Sequence, residues 1–289
     1  MALTSIQIRP LWDWGGLTAR QLVIRTYRAI DKHETIDRAA IVAFYALLSL
    51  VPLLGFLLAI AFGPASGSAA ELQAVAGQFL PPEGRAIIDG QILKIQSDPP
   101  VGVLTVSFVI LLWSSSAVFV SLMDGTNAAH GVRDGRPWWK RRLLAVVLTA
   151  VELALLLGSL VAILAWPHAL SRFGLDGVAA GTATAVRWAV VVAALLASFS
   201  IAYYFGPDVK RGWEWVTPGS SFGVVALVAA SLGFRAYLLY GWSWSETYGT
   251  LAGVVILLLW FYLAALALLV GAEINCVIGH ARSGGAVAT

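Results

Sequence analysis

Residues 249–272, "GTLAGVVILLLWFYLAALALLVGA", run for 24 positions without a charged side chain. At a rise of about 1.5 Å per residue a helix of that length is about 36 Å long, enough to cross a hydrocarbon core of about 30 Å. Lipid offers the backbone no water to bond, so a spanning run of this kind is helical. The run stops at Glu273 and Asn275. Those two residues mark either the start of the headgroup layer or part of a working site.

Five further stretches qualify as spans: 39–62, 101–123, 143–166, 183–205 and 216–240. The composition agrees. The chain is 59% hydrophobic and 12% charged, with a mean hydropathy of +0.80, whereas soluble domains carry about 25% charged residues. The alternating polarity of a membrane β-barrel is absent. The sequence therefore predicts an all-α polytopic membrane protein of six transmembrane helices. Residues 1–38 form an N-terminal segment, 39–272 the membrane domain with an outer loop at 63–100, and 273–289 a C-terminal tail.

Lysine and arginine set the orientation. The N-terminal segment, the 2–3 loop (Arg133, Arg136, Lys140, Arg141, Arg142), the 4–5 loop (Lys210, Arg211) and the tail (Arg282) together hold 14 cations, against 3 in the opposite loops. Both termini are thus expected in the cytoplasm. Trp138, Trp139, Trp166, Trp188, Trp213, Trp215, Trp242 and Trp244 fall near span ends, at the depth indole rings prefer.

Several function classes recede. The lone Cys276 excludes an intramolecular disulfide, and the four histidines stand singly, without metal-ligand spacing. No cofactor, no nucleic-acid partner and no enzymatic activity is expected. Met1–Arg38 is mixed and charged, unlike a cleavable signal peptide. Two regions outside the spans read as amphipathic. Residues 17–34 place Val23, Tyr27 and Ile30 on one stripe, suited to the inner leaflet or to packing on the bundle. The 63–100 loop reads as two short outer helices.

Four segments, in order, carry a resemblance: "DRAAIVAFYALLSLVPLLGFLLAI" (37–60), "GVRDGRPWWKRRLLAVVLT" (131–149), "WEWVTPGS" (213–220) and "YGTLAGVVILLLWFYLAALALLVGAEIN" (248–275). The chain resembles the YihY/BrkB family of bacterial inner-membrane proteins, once labelled ribonuclease BN, over about residues 20–280. The resemblance implies a six-helix inner-membrane protein. It implies no settled activity and supplies no catalytic residues.

Polar groups inside spans are costly and mark candidate sites. Glu152 lies about 13 Å along span 3. With Ser114, Ser115, Ser116, Ser49 and the helix-loosening Pro52, it is the candidate translocation path, or else a structural hydrogen bond to a neighbouring helix. Arg187 and Arg235, with Glu246 and Tyr248, are a candidate outer vestibule; snorkelling to headgroups is the plainer account. Asp124, Asn127, Arg141, Arg142, Glu273 and Asn275 are a candidate inner gate or lock, with Glu273 expected to pair with Arg141 or Arg142. The small-residue patterns "GSSFG" (219–223) and "GTLAG" (249–253) permit close helix contact within one chain or in a homodimer. The functional expectation is a translocator of a small solute or lipid, with a scaffolding protein of the envelope as the alternative.

Overall fold

The computed structural model describes residues 14–62, 101–164, 177–209, 212–240 and 251–283. The outer loop 63–100, Glu246 and Tyr248 lie outside them. Among the described residues the fold is seven α-helices and no strand: α1 (Ala19–Lys32), α2 (Thr35–Phe62), α3 (Val101–Ala129), α4 (Trp138–Leu164), α5 (Gly177–Phe205), α6 (Pro218–Tyr240) and α7 (Leu251–Arg282). Five of them, α3 to α7, are long and apolar enough to cross a membrane. α2 carries the first predicted span. The molecule is a polytopic membrane protein.

The starts of α2, α4 and α6 meet the ends of α3, α5 and α7 at one end of the bundle, called here the basic end. α7 runs through its centre and packs on α1, α2, α3 and α6. Its first half shows Val254, Val255, Leu257, Leu258 and Leu259 on the surface, whereas Ala265, Leu269, Ala272, Glu273 and Cys276 are buried. One core joins Ala39, Val42, Phe119, Met123, Ala145 and Leu269. A second joins Ala129, Phe199, Tyr203, Val224 and Ala272. Apolar lipid gives helices no hydrophobic reason to associate, so close fit and hydrogen bonds hold such a bundle.

Fit is tightest where α6 crosses α7. A Cβ built on Gly219 would overlap the Gly271 carbonyl, and one on Gly223 would meet Phe199 and the Ala267 carbonyl. The "GSSFG" pattern is therefore spent within the chain. Gly253, from the second pattern, has nothing within 4 Å of such a Cβ.

The boundary expected at residue 273 falls inside α7. The composition turns polar there, but the helix continues to Arg282 because α1 and the segment before it pack along its last turns. α1 begins with a capping box, Thr18 and Gln21 each bonding the other's backbone N–H. It buries Thr26 and leaves Val23 and Tyr27 exposed, so it packs on the bundle by one edge only.

Candidate functional site

Chain reversal between α3 and α4 starts the polar construction at the basic end. Gly131, with φ +63°, closes α3: its N–H bonds the Ala128 carbonyl, and the Val132 N–H reaches back to Asn127. This is a Schellman ending, in which glycine takes the left-handed position without a Cβ penalty. The turn delivers Asp134 and Arg136 to the gap between α3 and α5.

Asp134 is the hub of that gap. Its carboxylate accepts from the Arg136 backbone N–H at 3.0 Å, from Arg136 Nε and Nη2 at 2.8 Å each, and from Asn127 Nδ2 at 3.3 Å. Arg141 Nε stands at 3.4 Å. Burial pushes the Asp134 carboxyl up. The hydrogen bonds from Arg136 and the charges of Arg136 and Arg141 outweigh it, leaving the group below the usual carboxylate range. Arg136 in turn is raised, first by its hydrogen bond to Asp134. It also donates to the Phe205 and Gly206 carbonyls at 3.1 and 2.8 Å, closing the end of α5. Asp208 completes the join: its N–H donates to Asn127 Oδ1 and its carboxylate accepts from the Gly135 N–H.

A second lock fastens α1 and α2 to α7. Glu273 is 1% exposed. His33 Nδ1 lies 3.0 and 3.1 Å from its two oxygens, and Thr35 Oγ1 donates to it at 2.9 Å. The expected pairing of Glu273 with Arg141 or Arg142 is thus corrected. His33, which closes α1, and Thr35, which opens α2, occupy that carboxylate, and Arg141 pairs with Asp124 at 2.6 Å.

The third element caps α6. Thr217 and Ser220 bond reciprocally, backbone N–H to side-chain oxygen, at 2.8 and 3.0 Å. Asn275 accepts from the Gly219 N–H at 2.8 Å and donates to Thr217 Oγ1 at 2.9 Å. Two donors that a helix start leaves over are thereby satisfied, one of them from another helix.

Beside this cap lies a cleft of about 420 Å³ between α5, the 212–218 segment and α7, lined among others by Ser200, Tyr203, Tyr204, Glu214, Asn275 and Arg282. Its wall is braced: Tyr203 Oη donates to the Leu268 carbonyl and Ser200 Oγ to the Trp215 carbonyl, both at 2.7 Å. Tyr204 packs edge-on against Trp213, with ring centroids 5.0 Å apart.

Of the six inner residues expected together, the structure places Asp124, Asn127 and Arg141 in the first join, Glu273 in the second and Asn275 in the third. Arg142 is in none of them. Its Nη2 donates to the Trp113 carbonyl at 2.6 Å.

The expected path residues do not line the cleft. Ser198 Oγ donates to Glu152 Oε2 at 2.6 Å, tying α5 to α4. Ser114 and Ser116 bond carbonyls of their own helix, and Ser115 is half-buried. Ser49 bonds the Ala46 carbonyl rather than the Leu48 carbonyl that Pro52 leaves without its usual donor. At the other end, Arg187 lies over the Trp188 ring at 5.2 Å and Arg235 is exposed, with no hydrogen bond or ion pair joining them among the described residues. Sequence reasoning missed Asp134, Arg136, Asp208, His33 and Thr217. Only Thr217 carried a local signal, the Thr-Pro-Gly-Ser cap signature.

Comparison with known proteins places this geometry among membrane proteins. A family model described as "Virulence factor BrkB" matches residues 26–288. The chain is 29% identical to the ribonuclease-like protein YfkH of Bacillus subtilis (strain 168), over 86% of this chain and 92% of that one. It is 27% identical to a UPF0761 membrane protein of Vibrio atlanticus (strain LGP32), over 86% of this chain and 79% of the relative. No solved structure matches.

Proposed function

The chain belongs to the Virulence factor BrkB family of membrane proteins, and from that premise we propose that it is a six-span inner-membrane translocator of a small solute or a lipid, with its basic end in the cytoplasm. The observation that carries this reading is the cleft of about 420 Å³ between α5, the 212–218 segment and α7. It is lined by both polar and apolar side chains, braced and set at the end of membrane-crossing helices, where a cargo would load. Binding sites commonly take this form, a concave space with a few fixed polar groups. The activity is proposed as movement of cargo rather than chemistry. Membrane lipid is its first partner, and a second copy of the chain is proposed against the small-residue face at Gly253.

A specific observation favours the alternative, a scaffolding role. The deepest carboxylate, Glu152, is held by Ser198, and the span serines are satisfied by their own helices. A middle tied by hydrogen bonds of its own helices suits a packed bundle as well as a closed transporter.

Reconstitution into vesicles separates the two. Gly279 lines the cleft, and a Cβ built there has nothing within 4 Å, so Gly279→Trp sets a bulky ring at the cleft wall. Scrambling of a headgroup-labelled phospholipid and release of trapped small solutes are followed for wild type and variant. Translocation predicts flux in the wild type, falling at least several-fold in Gly279→Trp at an unchanged melting temperature. Equal flux in both rules out the cleft as the route, and no flux of either cargo supports scaffolding.

A further inference from the structure

Arg141 and Arg142 are adjacent on α4, yet their guanidinium groups travel in opposite directions along α3. Arg141 Nη2 donates to the Val120 carbonyl at 2.9 Å and pairs with Asp124, nearer the basic end. Arg142 Nη2 donates to the Trp113 carbonyl at 2.6 Å. Val120 and Trp113 are seven positions apart, about 10 Å of helix. A long cation near a helix end ordinarily extends outward to the headgroups. Arg142 is turned toward the middle of α3 instead.

Among the described residues, its surroundings hold the group without an acidic partner. The guanidinium carbon lies 4.3 Å from the centroid of the Trp113 ring. Trp113 is 58% exposed on the side of the bundle, and Leu143 is exposed beside Arg142 on α4. The site therefore lies between α3 and α4. Among the described residues, Arg136 and Arg141 have acidic partners within ion-pair distance and Arg142 has none. An unneutralised cation on an apolar lateral surface is costly. The surface it faces is lipid, whose anion is the phosphodiester, and a guanidinium fork matches phosphate geometry.

We propose that Arg142, steadied by the Trp113 ring and carbonyl, binds the phosphodiester of a membrane glycerophospholipid on the lateral face formed by α3 and α4. The site is separate from the cleft and stands whether or not the protein translocates anything.

Native mass spectrometry of the detergent-purified full chain tests the site. Phosphatidylglycerol, diacylglycerol and inorganic phosphate are titrated onto wild type, Arg142→Gln and Arg142→Lys. Phosphatidylglycerol is expected to be retained about ten-fold or more tightly by the wild type than by Arg142→Gln, with Arg142→Lys between them. Diacylglycerol is expected to show no such difference, and inorganic phosphate no displacement. Equal retention by wild type and Arg142→Gln overturns the proposal, as does displacement by inorganic phosphate, which marks a simple anion site. A wild-type dimer that becomes monomeric in Arg142→Gln also overturns it, because a second copy then supplies the anion. Should Arg142→Gln fail to fold, Trp113→Leu takes its place. That change keeps the charge but removes its platform, and unchanged retention in it overturns the proposal equally.

Discussion

Glu273 of α7 and His33 at the end of α1 are 240 positions apart in sequence and 3.0 Å apart in space. The carboxylate is 1% exposed and the imidazole sits in the two-residue turn between α1 and α2. This contact fixes where the amphipathic helix lies relative to the bundle. Replacing Glu273 by Ala leaves His33 and Thr35 without their partner and opens a space at the helix junction. A loss of about 1–3 kcal/mol is expected, read from denaturant or thermal melts in detergent. In a double-mutant cycle with His33→Ala the two changes should couple by about 0.5–3 kcal/mol. Simple additivity would show that the contact contributes nothing.

The α6–α7 crossing makes a sharper steric prediction. Gly219→Ala drives a methyl group into the Gly271 carbonyl and the Asn275 side chain. The helices must separate, straining the Asn275 cap, at a cost of about 1–3 kcal/mol. Gly253→Ala, with nothing within 4 Å, is the matched control and should be neutral or slightly stabilising. Equal melting temperatures for the two variants would refute the close crossing.

Acid should unlock the Asp134 join. The carboxyl is depressed in the folded state, so its stabilisation is complete above the unfolded carboxylate value. It is lost as pH falls through the lower folded value. The stability difference between wild type and Asp134→Asn is therefore expected to be constant near neutral pH. It should shrink as pH falls below about 4. A difference that grows on acidification would reverse the sign and contradict the assignment.

Glu152→Gln keeps the shape of the side chain and an oxygen for the Ser198 hydroxyl. Its fold and melting temperature should stay close to wild type. If Glu152 takes part in translocation, reconstituted flux falls; wild-type flux in this variant removes it from the path and leaves a structural tie between α4 and α5.

Much of the architecture was legible in the residues. Apolar runs of about 20 residues name membrane helices because the bilayer thickness and helix rise admit one reading. Helix ends were less legible. The polar turn at Glu273 reads as an exit from lipid, yet α7 continues to Arg282 because other helices cover it there. The described helix positions overlap the predicted spans, and the "GSSFG" pattern does mark a close crossing.

Partnership was a different matter. "KRR" at 140–142 offers three similar cations to any nearby acid, and depth alone made Arg141 and Arg142 equal suitors for Glu273. Side-chain direction on α4, the turn that lifts Asp134 into place, and the fold-back of α1 onto α7 divided them. One arginine went to Asp124 and Asp134, the other to a carbonyl and an indole face, and Glu273 to a histidine far away in sequence. Hydrophobic length is a property of one segment and survives in sequence. An ion pair depends on the relative rotation of two helices, which only the packed bundle sets.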